Sequence, residues 1–123
     1  MYKNIFISQP MTEKSEKEIL TTRQKAIDEI HQLASKDGEQ VNIIGSYIDN
    51  ATRNEFQGRM GDAINWDIYW LSQSLQKLAT ANTIWLCDGW EHSKGCRIEL
   101  SCAMQYGLDV GNSEWGLSLD NGK

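Results

Sequence analysis

The chain has 123 residues, 40% of them hydrophobic, with five Trp and one Pro; this fits one folded domain and excludes a disordered chain. Its net charge is −5 and no basic cluster stands out. These features argue against binding to a nucleic-acid backbone, although one local loop can still hold a small phosphorylated ligand.

No apolar stretch reaches the roughly 18 residues of a membrane span, and the N-terminus begins directly on a strand-like run without a leader pattern. A cytoplasmic protein without a membrane partner is expected. Cys87, Cys96 and Cys102 show neither zinc spacing nor C-x-x-C. They read as small buried residues in a reducing compartment, with no metal and no cofactor implied.

In chain order, "YKNIFIS" reads as a buried strand that stops at Ser8-Gln9-Pro10. Ser15 and Glu18 form a capping-box pattern. Ile19, Arg23, Ala26, Ile27, Ile30 and Leu33 follow at helical spacing, and Lys36-Asp37-Gly38 ends that helix. "QVNIIGS" is a second strand. Residues 47–61 read as a long polar loop, a candidate cover or site loop. Ile64, Ile68, Leu71, Leu75 and Leu78 form a helical stripe expected in the core, and Trp66, Trp70 and Ser74 occupy a second face.

"NTIWLC" is the third strand. A polar elbow follows, and then a helix capped by Ser93 and ended by Gly107, with Ile98, Cys102 and Tyr106 as its expected buried stripe. "LDV" reads as a last short strand. The division expected is one domain over 1–110 and a tail, 111–123, without an assignment.

This order predicts an α/β fold: a single small doubly wound, flavodoxin- or Rossmann-like domain with a four- to five-stranded, mostly parallel sheet. Ligands of such sheets bind beyond the carboxyl ends of the strands. Three elements converge there: the turn Ser8-Gln9-Pro10-Met11, the 47–61 segment and the elbow "CDGWEHSKG". The glycines of the elbow allow close backbone approach, and a helix start offers N–H groups to a phosphate. The elbow is therefore either a phosphate cradle or a plain helix cap. Glu99 is either a solvated helix residue or a nucleophile for an electrophilic carbon held at the cradle. His92 is either a phosphate contact or an exposed loop residue, and His31 reads as surface. The Trp66/Trp70 face is a pocket wall or a contact between copies of the chain, and a homodimer or larger assembly is expected.

The segment "NTIWLCDGWEHSKGCRIELSCAMQYG", together with Ser8, Pro10 and Met11 after the first strand, resembles the nucleoside 2-deoxyribosyltransferase-like superfamily. That superfamily includes the 2'-deoxynucleoside 5'-monophosphate N-hydrolases. The likeness is closest to its small phage and bacterial branch, and it runs from about Tyr2 to Val110.

The resemblance implies that Glu99 attacks C1' of a sugar and displaces the base, after which water or a second base completes hydrolysis or transfer. It implies that Ser93, with Gly89, Trp90, His92 and Gly95 around it, binds the 5' end or its phosphate. Ser8, Gln9, Pro10 and Met11 would line the sugar and phosphate site. Trp70 would stack near the base, and Asp88 would hold a sugar hydroxyl or protonate the leaving base. One departure stands out: Ser74 occupies a position where the characterised enzymes carry Asp, and Asp67 lies two turns earlier.

Three functions follow as alternatives. The first is cleavage or exchange of an N-glycosidic bond in a nucleotide-like substrate. The second is a non-catalytic protein that sequesters a nucleotide or ADP-ribose-type signal, as a phage anti-defence factor would. The third is an interaction protein that only inherited the fold.

Overall fold

The computed structural model of the protein describes residues 2–45, 47–61 and 63–119. Ser46, read as the end of the second strand, lies outside them. The elements are β1 (Tyr2–Ser8), α1 (Glu16–Lys36), β2 (Gln40–Gly45), α2 (Asn50–Met60), α3 (Trp66–Leu78), β3 (Thr83–Leu86), α4 (Lys94–Gln105), β4 (Asp109–Asn112) and β5 (Gly116–Leu119).

The strands form one sheet in the order β2-β1-β3-β4-β5. β1 pairs in parallel with β2 and β3, and β3 with β4; β5 alone is antiparallel. The expected doubly wound α/β sheet is present. Its central strands explain themselves: Ile5, Phe6 and Ile7 of β1 and all four residues of β3 are buried, as continuous apolar runs are when helices cover both faces. On one face α1 packs Ala26, Ile30 and Ala34 against Ile5, Ile7 and Trp85. On the other, Leu78 of α3 and Ala103 of α4 cover Phe6, Ile84 and Leu86.

The helix ends follow local chemistry. Ser15 and Glu18 make the reciprocal capping box of α1. Ser93 caps α4, accepting from the Cys96 N–H at 3.3 Å, and Gly107 follows that helix at φ 81°.

Four expectations need correction. The 47–61 segment is mostly helix: Asp49 caps α2 through the Thr52 N–H at 2.7 Å. No residue of α2 is buried, so it has no apolar period to read. In α3 the expected core stripe holds only toward its end, where Leu78 is buried and Leu75 packs against the core. Ile64 precedes the helix, Ile68 is 63% exposed, and the buried residues are Ser74 and Leu78. In α4 the buried face is Cys96, Glu99 and Ala103; Ile98 and Tyr106 are exposed, and Cys102 is half-buried. Of the unassigned tail, residues 111 and 112 complete β4 and 116–119 form β5. Asn112 organises the turn between them by accepting from the Glu114 and Trp115 N–H groups.

The chain leaves β1 through α1 toward β2, then crosses back to β3 on the other side of β1. The carboxyl ends of β1 and β3 therefore flank the switch in winding direction, the crevice where such sheets bind ligands. Among the described residues, no helix is long and apolar enough to cross a membrane.

Candidate functional site

Ser8 ends β1, and its side chain falls on the face covered by α4. It is fully buried, and its hydroxyl donates to Glu99 Oε1 at 2.6 Å. Glu99 reaches this point because it shares the inward face of α4 with Cys96 and Ala103. It is only 6% exposed. Burial pushes its carboxyl up from 4.5 to about 7, and hydrogen bonding from Ser8 and then from Ser74 holds it lower than burial alone would. Ser74, on the buried face of α3, thus approaches the carboxylate from the second helix.

The elbow is built around two tight turns. The Trp90 N–H bonds to the Cys87 carbonyl and the His92 N–H to that of Gly89. Gly89 adopts φ 87°, a conformation that disfavours residues with a Cβ, and it lies against Pro10. The β1 turn and the β3 elbow therefore touch. The elbow then delivers Ser93 to the start of α4. Cys96, 1% exposed, sits behind it, and its thiol is hydrogen-bonded to the hydroxyls of Ser8 and Ser93. Burial pushes that thiol up, so it is neutral and no nucleophile. A Cβ on Gly95 would meet nothing within 4 Å, which leaves the first turn of α4 open to an approaching group.

The expected site residues divide into two sets. Ser8, Ser74, Ser93 and Glu99 are brought together, with Trp70 one turn before Ser74. Pro10 and the half-buried Trp90 frame the elbow, and the half-buried Met11 is in the same turn as Pro10. Gln9 is buried, and its amide nitrogen ties the turn to the Ile19 carbonyl of α1 at 3.0 Å. His92 is exposed. Asp88 is exposed as well, and its carboxylate lies 3.9 Å from Lys25 of α1, the helix on the other side of the sheet from Glu99.

The Trp66/Trp70 face was read as a wall or a contact between copies, but its partner in α2 was not legible in the sequence. Phe56 of α2 stacks on Tyr69 and meets Trp66 and Trp70 edge-on. The guanidinium of Arg53 lies 5.3 Å from the centre of the Trp70 ring, within cation–π range. The aromatic face of α3 is thus covered in part by α2.

Residues 3–112 match the family described as a domain of unknown function, DUF4406. The chain belongs to that family. No curated protein and no solved structure matches it.

What the site can do follows from its chemistry. A carboxyl group near neutrality, held by two hydroxyls in a dry setting, serves as a nucleophile or an acid–base group. Among the described residues, no three His, Cys, Asp or Glu side chains are placed to hold a metal ion. A concavity of about 840 Å³ runs along the outer face of α1, from Glu16 to Gln32, and is not lined by Glu99, Ser8, Ser74 or Ser93. The carboxylate is nearly closed off from solvent, at 6% exposure.

Proposed function

We propose that the protein cleaves the N-glycosidic bond of a nucleotide-like small molecule with Glu99 as nucleophile, the chemistry to which its likeness to the nucleoside 2-deoxyribosyltransferase-like superfamily points. The observation that carries this reading is the buried Glu99 carboxylate at the switch point, bound by Ser8 at 2.6 Å. Burying a carboxylate is costly unless the surroundings compensate, and here two serines from different elements converge on one.

In this reading a Glu99 oxygen attacks C1', the C1'–N bond breaks, and its electron pair leaves with the base, giving a glycosyl ester. Water then attacks C1', the carboxylate is restored, and the proton of the water ends on the departed base. A second base in place of water gives exchange. The Ser93–Gly95 helix start takes the phosphate. Ser8 and Ser74 orient the nucleophile and keep a useful fraction of it ionised at neutral pH.

A second reading, sequestration of a nucleotide or ADP-ribose-type molecule without turnover, draws on a specific observation. Ser74 stands where the resemblance would place an acid, and the Asp88 carboxylate lies toward Lys25 on the α1 side.

The test compares wild type with Glu99→Gln, following free base by chromatography and affinity by calorimetry across nucleotides and ADP-ribose derivatives. The expected result is base release that rises with pH up to about 7, falls by orders of magnitude in the variant, and leaves binding intact. Release unaffected by the substitution would remove Glu99 as nucleophile. Tight binding without release would favour sequestration.

A further inference from the structure

Four buried side-chain atoms have no hydrogen-bond partner among the described residues: Arg23 Nη1, Glu39 Oε2, Tyr47 Oη and Trp70 Nε1. Three of these groups have a polar or charged neighbour. The Glu39 carboxylate has Lys3 at 3.8 Å, the Tyr47 hydroxyl lies near the Glu16 and Asp49 carboxylates, and the Trp70 ring has the Arg53 guanidinium over it. Arg23 takes part in no ion pair among the described residues. The chain has 17 acidic residues against 12 basic ones, so a carboxylate partner would have been easy to supply.

The place of Arg23 explains what it is free to do. It lies one turn after Ile19 and three residues before Ala26, both on the buried face of α1. α1 follows β1, so it starts at the carboxyl edge of the sheet, and helix side chains lean toward the helix start. The guanidinium reaches the end of β2 and lies against Gly45. A Cβ on Gly45 would stand 2.7 Å from Nη2, 2.8 Å from Cζ and 3.1 Å from Nη1. The guanidinium thus occupies the space that a side chain at this position would fill. Gly45 alternates with Val41 and Ile43, which pack on the α1 side of the sheet, and it pairs with Ile7, the residue before Ser8. Gln9 fixes the turn above, bonding to the Ile19 carbonyl at 3.0 Å.

A guanidinium keeps its charge at any working pH. Holding that charge out of water without a counter-charge costs stability, and a buried N–H without an acceptor calls for one. Its planar fork of donors matches a phosphate group. The residue is half-buried rather than sealed. We infer that Arg23, seated on Gly45, forms an oxyanion subsite at the carboxyl edge on the α1 side of the sheet, for a phosphate that is either free or carried by a nucleotide. This subsite is separate from the Ser93 helix start, which belongs to the α4 side. Neither Glu99 nor cleavage of a glycosidic bond enters the assignment.

The experiment measures melting temperature and calorimetric affinity for wild type, Arg23→Met, Gly45→Ala and Ser93→Ala. The probes are inorganic phosphate, nucleosides, and nucleoside 5'-monophosphates and 5'-diphosphates, at an ionic strength held constant with chloride. Without phosphate, Arg23→Met should be at least as stable as wild type, because it keeps the apolar stem and removes an uncompensated charge. Phosphate or the nucleotides should bind wild type and raise its melting temperature. Affinity should fall at least about tenfold in Arg23→Met. Gly45→Ala should lose as much while the charge remains, since its Cβ displaces the guanidinium. Ser93→Ala should leave the Arg23-dependent part in place. A response to inorganic phosphate alone assigns the subsite to the free ion, and a response confined to nucleotides assigns it to their phosphates. Four results overturn the inference: no response to any phosphate compound, equal affinity in wild type and Arg23→Met, a response lost in Ser93→Ala but kept in Arg23→Met, and full affinity in Gly45→Ala. Arg23→Met markedly less stable than wild type without phosphate also overturns it, since the guanidinium would then be satisfied within the fold. The glycosidic reading is decided separately, by base release in Glu99→Gln.

Discussion

The two walls of the site are built in opposite ways. On the α4 side, Ser8, Cys96 and Glu99 are all buried and interlocked by hydroxyl, thiol and carboxylate contacts. On the α2–α3 side, half-buried aromatic rings meet a helix with no buried residue, capped by Asp49 and ended at Gly61 with φ 77°. A perturbed carboxylate needs a rigid, dry surround to stay perturbed. A wall that must admit and recognise a ligand comes from the part of the fold that opens at low cost. On the proposed reading the difference separates reaction from recognition, and it can be tested from both sides.

The largest effect is expected at Glu99, and it is one of stability. Its folded-state pKa is raised from 4.5 to about 7. Between those values the folded protein binds more protons than the unfolded chain, so stability falls as pH rises through that window. Above pH 7 the buried anion costs the fold roughly 3 kcal/mol. Glu99→Gln removes the anion. Its melting temperature should match wild type near pH 4.5 and exceed it by about 10 °C at pH 8. Thermal melts across pH check this, and a variant less stable than wild type at pH 8 would mean that the rigid wall is not strained by its carboxylate.

Ser8→Ala probes the same wall from the strand. A 2.6 Å bond to a carboxylate is worth roughly 1.5–3 kcal/mol. Its loss should raise the Glu99 pKa by about one to two units and move the rise of base release to correspondingly higher pH. A pH profile that stays in place would show that Ser74 alone holds the carboxylate.

The same contrast explains what was legible in the sequence. The apolar runs of β1 and β3, the capping box at Ser15 and the cap at Ser93 depend on local chemistry, and they are as read. The face of α4 and the start of the α3 stripe were read out of phase because the residues turned inward include Ser74 and Glu99, whereas Leu75 and Leu78 do meet the core. Counting apolar positions skips them and rotates the helix toward Ile68 and Ile98, which are exposed. A buried polar residue that breaks the period is what a site does to a core pattern. Cys96, three residues before Glu99 and seven before Ala103, carried the correct phase. α2 was missed for the opposite reason: with nothing buried it has no pattern. Its signals were the Asp49 cap and a lone Phe56 among polar residues. β5 escaped because its four residues lie in a Gly- and Ser-rich stretch whose turn is organised by Asn112.

Ser93→Ala lies between the walls in expected size. Losing its bond to the Cys96 N–H should cost about 1 kcal/mol of stability. If Ser93 also contacts a phosphate, affinity for nucleoside monophosphates should fall further than affinity for the nucleosides. Equal losses for both would reduce Ser93 to a cap.

The smallest effect on global stability is expected at Phe56, although its ring touches three others. Aromatic pairs contribute about 0.5–1.5 kcal/mol each beyond area burial, so a naive sum would make Phe56→Ala severe. α2 has no buried residue, however, and none of its residues belongs to either hydrophobic cluster. If α2 opens as a unit before the sheet unfolds, most of the lost contact energy appears in that local opening and little in global unfolding. Denaturant melts of Phe56→Ala should therefore shift by less than about 1 kcal/mol. Amide exchange of Arg53 to Met60 should accelerate by tenfold or more, while amides of β1 and β3 keep their protection. Equal acceleration in the strands would show that α2 is part of the cooperative core, and the division between a fixed reacting wall and a movable recognising wall would fail.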